Sequence, residues 1–395
     1  MTGPANGAAI VGLAEFPARR RADAPVMSDL EAISALAALA LEDAQLPLSD
    51  LDGLLVTGIR ESAQFAPATV AEYLGISLRF AETVDLGGAA AAGMIWRAAQ
   101  AVSAGICRAA LCVIPGTFPA PAPNQAGRFG ASSYLPGSPQ AEFDIPYGHV
   151  GQNALYAMFA QRYRHFHGYD PRAMARLVVH QRRNACANPD AIFFGKPIEE
   201  EDVLNSPMIA RPLRLLEIVM PVWGGAAVIV ASDEIAATSP HRPVRVAGFG
   251  ERVSHKSPHQ IADMLSPPIK VAAAEAFARA GIAPADVDCA QIYDCYTIAV
   301  LLVLEGAGFC RPGAGMAFLR ERDFRFDGDF PLNTNGGQLG FGQARAAGGM
   351  THVVEAVRQL AGRAQERQTP GCDFAFVTGN GGIMSEQVAL VLAGA

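Results

Sequence analysis

Two short stretches that recur at one spacing decide the fold. IVGLAE (10–15) is matched by VAGFGE (246–251), and DAQLPLSDLD (43–52) is matched by RAGIAPADVD (279–288). Both pairs are 236 residues apart (246 − 10 and 279 − 43). Two separate matches in a single register indicate a duplicated unit.

Each copy of the unit begins with a short apolar strand, predicted at 8–16 and at 243–250. A helix follows, at about 28–44 and 265–280, because Ala and Leu recur there at i, i+3 and i+4. A second strand comes next, GLLVTG in the first copy and CAQIYD in the second. A crossover of this length joins parallel strands, so the sequence predicts two α/β halves.

The two halves are separated by a long insertion of different composition. Further apolar runs complete each half, ETVDL, AALCVIP and AAVIVAS in the first and FAFVTG and VALVLAG in the second. We predict a first half over 1–115 with its last strand in 221–240, an inserted region over 116–220, and a second half over 241–395. The insertion is rich in Pro and Gly at first and helical later, which favours a substrate-covering element.

Composition argues against several classes of function. The net charge is −7 and the basic residues are spread along the chain, which disfavours nucleic-acid binding. No stretch approaches the roughly 18–20 uncharged apolar residues of a membrane span, and the N-terminus lacks a secretory-signal pattern. The seven cysteines form no C-x-x-C pair, and there is no H-E-x-x-H motif. We therefore expect reduced thiols in a cytoplasmic protein without a metal site.

Glycine-rich turns follow three of the predicted strands. They are VDLGGAAAAGM (84–94), NTNGGQLGFGQARAAGGM (333–350) and VTGNGGIMS (377–385). A fourth strand ends in the polar run YDCYT (293–297). Glycine lets backbone N–H groups approach a ligand, and ligands of α/β sheets bind beyond the carboxyl ends of strands. Tight strand–helix packing explains any one turn alone, but four such ends favour a shared site with an oxyanion hole.

Five further stretches carry a family resemblance. They are IPYG (145–148), ARPLRLLEI (210–218), YDCYTI (293–298), NTNGGQLG (333–340) and TGNGG (378–382). Together with the duplication and the insertion, they make the chain similar to the thiolase superfamily, and within it to the sterol-carrier-protein-type branch. The resemblance covers nearly the whole chain. It implies an α/β, thiolase-like five-layer αβαβα fold with two duplicated halves and an inserted loop domain.

The same resemblance implies a homodimer that takes acyl-CoA, with the coenzyme A thioester as substrate and no further cofactor. The departures from the family pattern then limit the chemistry. The nucleophilic Cys of such thiolases falls on Ala90, and their catalytic His falls on Gln343. Their late Cys-x-Gly loop falls on 378–380, and their His-Asp-Cys-Phe motif falls on 293–296. Because Ala cannot form a thioester, a Claisen condensation through an acyl-enzyme at position 90 is excluded.

Retro-aldol cleavage of a 3-hydroxyacyl-CoA, of a steroid or lipid side-chain type, is the first hypothesis. It needs a base for the 3-hydroxyl proton. Tyr293 is the predicted base or proton relay, provided that its neighbours lower its pKa, and Asp294 or Cys295 assists. Gln343 is predicted to line the same cleft.

The reaction also needs an oxyanion site for the thioester enolate. We predict this site at the backbone N–H groups of Gly337 and Gly381, with the side chain of Asn380. The chain resembles a thiolase-like subgroup without the nucleophile that cleaves steroid side chains. That resemblance implies a small partner subunit, an OB-fold or zinc-ribbon protein that helps to bind acyl-CoA.

Two other hypotheses stay open. A degenerate thiolase can bind acyl-CoA or support a catalytic partner without chemistry of its own, and Tyr293 is then a packed residue at a strand end. Alternatively, an acyltransferase of the acetyl-CoA acetyltransferase type can use a relocated nucleophile, for which Cys295 is the candidate if a base or cation lowers its pKa. His149, in IPYGHV, is a candidate replacement base, although a lone histidine in a loop is usually a surface residue.

Overall fold

The computed structural model describes residues 7–118, 137–149 and 151–394. Its strands are β1 (Ala8–Glu15), β2 (Gly53–Val56), β3 (Phe80–Thr83), β4 (Ala109–Gly116), β5 (Met208–Ala210), β6 (Leu213–Arg214), β7 (Gly224–Ser232), β8 (Val244–Val253), β9 (Cys289–Gln291), β10 (Phe374–Gly381) and β11 (Glu386–Gly394). Its helices are α1 (Asp29–Ala44), α2 (Ala66–Leu74), α3 (Ala90–Ser103), α4 (Pro139–Phe143), α5 (Gln152–His167), α6 (Pro171–Cys186), α7 (Glu200–Asn205), α8 (Asp233–Ala236), α9 (Ile269–Ala280), α10 (Thr297–Gly306), α11 (Gly315–Glu321), α12 (Gly337–Phe341) and α13 (Gly348–Leu360). None of the helices in these ranges combines the length and apolar character that a bilayer crossing requires.

Nine strands form one sheet in the order β3-β2-β4-β7-β1-β8-β11-β10-β9. The two copies meet at β1 and β8, which pair antiparallel only at Ala9 with Arg245 and Ile10 with Val244. β2 runs parallel to β3 and β4, while β7 runs antiparallel to both β4 and β1. β1 and β2 therefore point the same way, as the strand–helix–strand unit predicts, although they are not neighbours in the sheet.

The helices form three layers around the two halves of the sheet. α3 and α13 lie in the middle, in one apolar cluster with strands of both halves. α1 and α2 cover the outer face of the first half. α9 and α10 cover the outer face of the second half. This is the five-layer αβαβα arrangement that the resemblance implies.

A glycine that both copies share explains the repeated motif physically. A Cβ on Gly12 would lie 2.5 Å from the Ala40 carbonyl oxygen, and a Cβ on Gly248 would overlap the Ala276 carbonyl oxygen. Both members of this contact are 236 residues apart between the copies (248 − 12 and 276 − 40). In each half, the glycine lets the first helix lie directly on the first strand.

The strand predicted from CAQIYD is shorter than the sequence suggests, because β9 ends at Gln291. The Asn333 side chain accepts a hydrogen bond from the Ile292 N–H at 2.7 Å and donates one to the Ile292 carbonyl at 2.9 Å. It thus takes the place of a neighbouring strand for one residue. The pairing with the sheet ends there, and residues 293–296 form the connection to α10.

The insertion leaves the sheet after β4 and returns at β7. Its helices α5 and α6 pack on α10 and extend the apolar cluster of the second half. They are followed by α7 and the small hairpin of β5 and β6. The Pro- and Gly-rich part at 119–136 lies outside the described residues, and the predicted domain boundaries stay a prediction.

Candidate active site

Four segments converge at one end of the central helix layer. They are the 293–296 connection, the loop before α3, the end of β10, and the segment between α12 and α13. A Cβ on Gly88 would overlap the Tyr293 hydroxyl and would lie 2.5 Å from the Asn380 carbonyl oxygen. Glycine at position 88 therefore lets the Tyr293 side chain reach the loop that leads into α3.

The Tyr293 hydroxyl is the polar group at the centre of this contact. The hydroxyl oxygen accepts a hydrogen bond from Gln343 Nε2 at 3.0 Å. The backbone N–H of Tyr293 donates to Thr378 Oγ1 at 3.0 Å. Burial raises the pKa of Tyr293, the negative charge on an ionised Cys295 would raise it further, and the Gln343 hydrogen bond lowers it in part. The condition set for Tyr293 as a base, that neighbours lower its pKa, is not met, because desolvation of the phenolate outweighs the hydrogen bond.

Ala90 is the first residue of α3 and is fully buried. The start of the helix is pressed against β10, since a Cβ on Gly379 would lie 2.7 Å from the Ala89 Cα. The N-terminus of this 14-residue helix has no side-chain cap. Its dipole therefore favours negative charge near Ala90.

The Asp294 carboxylate is occupied by hydrogen bonds to the backbone of α12. Its two carboxylate oxygens accept the backbone N–H groups of Gln338 at 2.7 Å and Leu339 at 3.1 Å. His352 Nε2 lies 3.2 Å from Asp294 Oδ1. The carboxylate thus holds the beginning of α12 in place, and this occupation leaves it poorly suited to assist as a base.

Cys295 and Asn380 share one buried contact. Asn380 Nδ2 lies 3.7 Å from Cys295 Sγ and donates to the Tyr156 hydroxyl at 2.9 Å, while Asn380 Oδ1 accepts from Gln387 Nε2 at 2.8 Å. Burial raises the pKa of Cys295 to about 12. The condition for a relocated nucleophile, a lowered thiol pKa, is therefore not met.

The two predicted oxyanion donors are in different situations. The Gly337 N–H donates to Asn335 Oδ1 at 2.8 Å, so an enolate oxygen would have to displace that side chain. Gly337 has a φ of +59°, and a Cβ there would overlap Asp294 Oδ2, so glycine is required for the Asp294 contact. Gly381 pairs with Glu386 at the end of β10. The oxyanion-donor role of both N–H groups stays a prediction.

His149 is not brought to this site by its described contacts. It is half-buried, its N–H donates to the Asp144 carbonyl at 3.2 Å, and its ring makes no hydrogen bond within the described residues. As a replacement base it stays a prediction.

Sequence reasoning missed three polar residues at the site. Gln338 is fully buried, and its Nε2 lies 3.2 Å from His352 Nε2. His352 Nδ1 is buried without a partner among the described residues. Tyr156 comes from the insertion, 224 positions before Asn380, so no local pattern could connect them. No local pattern singled out His352, because α13 also carries polar residues such as Thr351, Glu355 and Gln359.

The duplicated five-layer fold, with a central helix that begins at the site, defines a thiolase-type protein. The family model for a thiolase C-terminal domain-like region matches residues 250–394. A 3-ketoacyl-CoA thiolase from human mitochondria shares the fold, with a TM-score of 0.70 and 14% identity over 100% of both chains.

Similarity to individual relatives narrows this class. The steroid side-chain-cleaving aldolase of Thermomonospora curvata is 32% identical over 343 residues, covering 85% of this chain and 86% of that protein. The 17-hydroxy-3-oxo-4-pregnene-20-carboxyl-CoA lyase of Mycobacterium tuberculosis is 32% identical over 366 residues, covering 89% and 91%. The solved Ltp2-ChsH2(DUF35) aldolase matches with a TM-score of 0.86 and 30% identity, over 100% of this chain and 99% of that one. The chain belongs to the sterol-carrier-protein-2-like aldolase subgroup of the thiolase superfamily, which confirms the predicted family and fold.

Proposed function

We propose that the protein is a carbon–carbon lyase that cleaves a 3-hydroxyacyl-CoA of a steroid or lipid side-chain type by a retro-aldol reaction. The main observation behind this proposal is the position of the Tyr293 hydroxyl. It accepts a hydrogen bond from Gln343 at 3.0 Å and faces the loop before α3, the helix that starts with Ala90. The names of the two relatives, an aldolase and a CoA lyase, support the reaction class.

The proton path follows from a phenol that stays neutral. Because Tyr293 Oη accepts from Gln343, its own proton is free to be donated. In the proposed step the phenol receives the proton of the C3 hydroxyl and passes its own to C2. The C2–C3 bond breaks, its electron pair forms the thioester enolate, and protonation at C2 completes a shortened acyl-CoA. C3 leaves as the carbonyl carbon of a ketone or aldehyde, and no net base is consumed.

The enolate requires hydrogen-bond donors and a positive dipole. The uncapped N-terminus of α3 supports this role, and the Asn380 amide and the Gly337 and Gly381 N–H groups remain the candidate donors. No cofactor besides the coenzyme A thioester enters the proposed reaction. All seven cysteines are free thiols, which supports a reducing compartment such as the cytoplasm.

We further propose a homodimer and a small acyl-CoA-binding partner of the OB-fold type. β3 is the outermost strand of the first half, and among the described residues it pairs only with β2. An open edge of this kind is suited to pairing with a second copy. The proposal of a partner subunit is supported by the solved aldolase, which contains ChsH2(DUF35). Sedimentation velocity of the purified chain, alone and with a DUF35 protein, tests both.

The acyltransferase alternative is disfavoured because Cys295 is buried, which raises the pKa of its thiol to about 12, and a protonated thiol is a poor nucleophile. The non-catalytic alternative is separated from the lyase by turnover. The purified protein, with and without a DUF35 partner, is incubated with a 3-hydroxyacyl-CoA, and products are followed by mass spectrometry. Release of a ketone or aldehyde with an equal amount of shortened acyl-CoA is expected. Saturable binding without cleavage would instead support a scaffold.

A further inference from the structure

A cleft of about 210 Å³ lies on the insertion, outside the site described above. Three arginines line it, Arg164 at the end of α5, Arg211 between β5 and β6, and Arg214 at the end of β6. Glu217 is the one acidic residue of the lining, so three positive charges face one negative charge, a net +2. This contrasts with the net charge of −7 of the whole chain.

The single carboxylate is already satisfied by its own neighbours. Glu217 Oε1 accepts from the Tyr169 hydroxyl at 3.1 Å and the Thr297 hydroxyl at 3.0 Å, and Oε2 accepts from the Arg214 N–H at 2.9 Å. The guanidinium groups of Arg164 and Arg211 are exposed, and neither forms an ion pair within the described ranges. Within the described residues, the positive charges of Arg164 and Arg211 therefore have no carboxylate partner.

The remaining wall is apolar. It consists of Pro171, Val203, Leu204, Met208 and Pro212. Ligand sites are usually apolar cavities with a few oriented polar groups, and arginine recognises carboxylates through paired N–H donors. The volume is below the roughly 300–1,000 Å³ of drug-sized sites, so the ligand is small.

We propose that this cleft binds a small monocarboxylic acid, with its carboxylate between Arg164 and Arg211 and its short aliphatic body on the apolar wall. A monoanion with an apolar body suits the lining better than inorganic phosphate. Phosphate leaves the wall unused and brings a second negative charge toward Glu217. The site is independent of the lyase reaction proposed above.

The cleft also contacts the catalytic end of the molecule. Glu217 joins Tyr169 of the lining to Thr297, the first residue of α10, directly after the 293–296 connection. Tyr169 of the lining thus lies two hydrogen bonds from Thr297, which adjoins the segment that carries Tyr293.

Isothermal titration of the full chain with hexanoate tests the proposal without any need for turnover. Saturable binding is expected, with clearly weaker binding of hexanol and of inorganic phosphate. R164Q and R211Q are each expected to weaken hexanoate binding by about tenfold or more, since each removes a charge-assisted contact. R162Q is the matched control, an exposed arginine on the same helix that does not line the cleft, and it should bind as the unaltered protein does.

Three results would overturn the proposal. They are no saturable hexanoate binding, equal binding of hexanol, and unchanged binding in both R164Q and R211Q. The thermal melts of all variants are recorded alongside. Since neither arginine side chain makes an ion pair in the described ranges, the variants are expected to fold normally.

Discussion

In the proposed reaction, the Tyr293 phenol stays neutral and relays the proton. The sequence predicted Tyr293 at the end of a strand, whereas β9 ends at Gln291, and the match of Tyr293 to a family histidine stays a prediction. The direction of the Tyr293 pKa shift could not be predicted from the sequence. The burial of this side chain depends on Gly88 and on the Asn380 carbonyl, which are both distant in the chain. The assignment of Ala90 to the nucleophile position of the family needs only the sequence, and it stays a prediction.

Removing the Tyr293 hydroxyl tests its role with little change in packing. Y293F is expected to lose cleavage activity by about 10²–10⁴-fold, the usual contribution of a positioned proton-transfer group. Y73F is the control, because Tyr73 is an exposed residue of α2, which covers the outer face of the first half. Steady-state rates of carbonyl release measure both. Equal losses in the two variants would argue against a specific role for Tyr293.

A second prediction concerns His180 and acid stability. Burial lowers the pKa of His180 to about 4, and its Nδ1 accepts the Phe324 N–H at 3.0 Å. An unfolded histidine titrates near 6.5, so the unfolded chain binds the proton first, and stability falls as the pH drops from about 6.5 to 4. The contribution is at most about 3 kcal/mol.

Urea unfolding at pH 7 and pH 4.5 measures this effect. H180Q is expected to lose less stability between the two pH values than the unaltered protein does. H165Q, at an exposed histidine of α5, is the control and should behave as the unaltered protein. If H180Q and H165Q show the same acid sensitivity, His180 does not carry the effect.

At the scale of elements, the sequence predicted most strands and the first helix of each half, α1 and α9, but not where β9 ends. Continuous apolar runs located β1, β4, β7, β10 and β11, since central strands are buried on both faces. The end of β9 is set by the Asn333 side chain, which lies 41 positions away from Ile292. A pattern confined to neighbouring residues cannot contain that contact.

The glycine loop before α3 is expected to tolerate no side chain. G88A would force a methyl group into the Tyr293 hydroxyl and the Asn380 carbonyl, and we expect a loss of about 1–3 kcal/mol in unfolding free energy together with reduced activity. G58A is the control, because nothing lies within 4 Å of a Cβ at that position. Urea denaturation compares the two. A G88A protein as stable and active as G58A would show that the loop is looser than described.

At the scale of the whole molecule, the two halves are joined mainly through the central helices. β1 and β8 contribute only two register pairs. Trp96 of α3 stacks on Phe249 of β8 with ring centroids 4.9 Å apart, and its Nε1 donates to Glu251 Oε2 at 2.9 Å. Arg97 forms an ion pair with the same carboxylate at 2.6 Å. The duplication was visible in the sequence, whereas this contact between the copies was not.

Neutralising that carboxylate tests how the halves are coupled. E251Q leaves the Arg97 guanidinium with a weaker partner, so we expect a loss of about 1–3 kcal/mol in a single cooperative unfolding transition. E234Q, at an exposed glutamate of α8, should unfold as the unaltered protein does. Two separate transitions, or an E251Q protein as stable as E234Q, would show that the halves fold independently of this contact.

The most direct measurement is a crystal structure with a 3-hydroxyalkyl-CoA thioether, an analogue that lacks the thioester carbonyl and cannot form the enolate. The proposed reaction places the C3 oxygen within about 3 Å of Tyr293 Oη, with C2 on the side of the α3 N-terminus. An analogue that lies with C3 beyond hydrogen-bond reach of Tyr293, or with its sulfur against Cys295, would contradict the proposed cleavage.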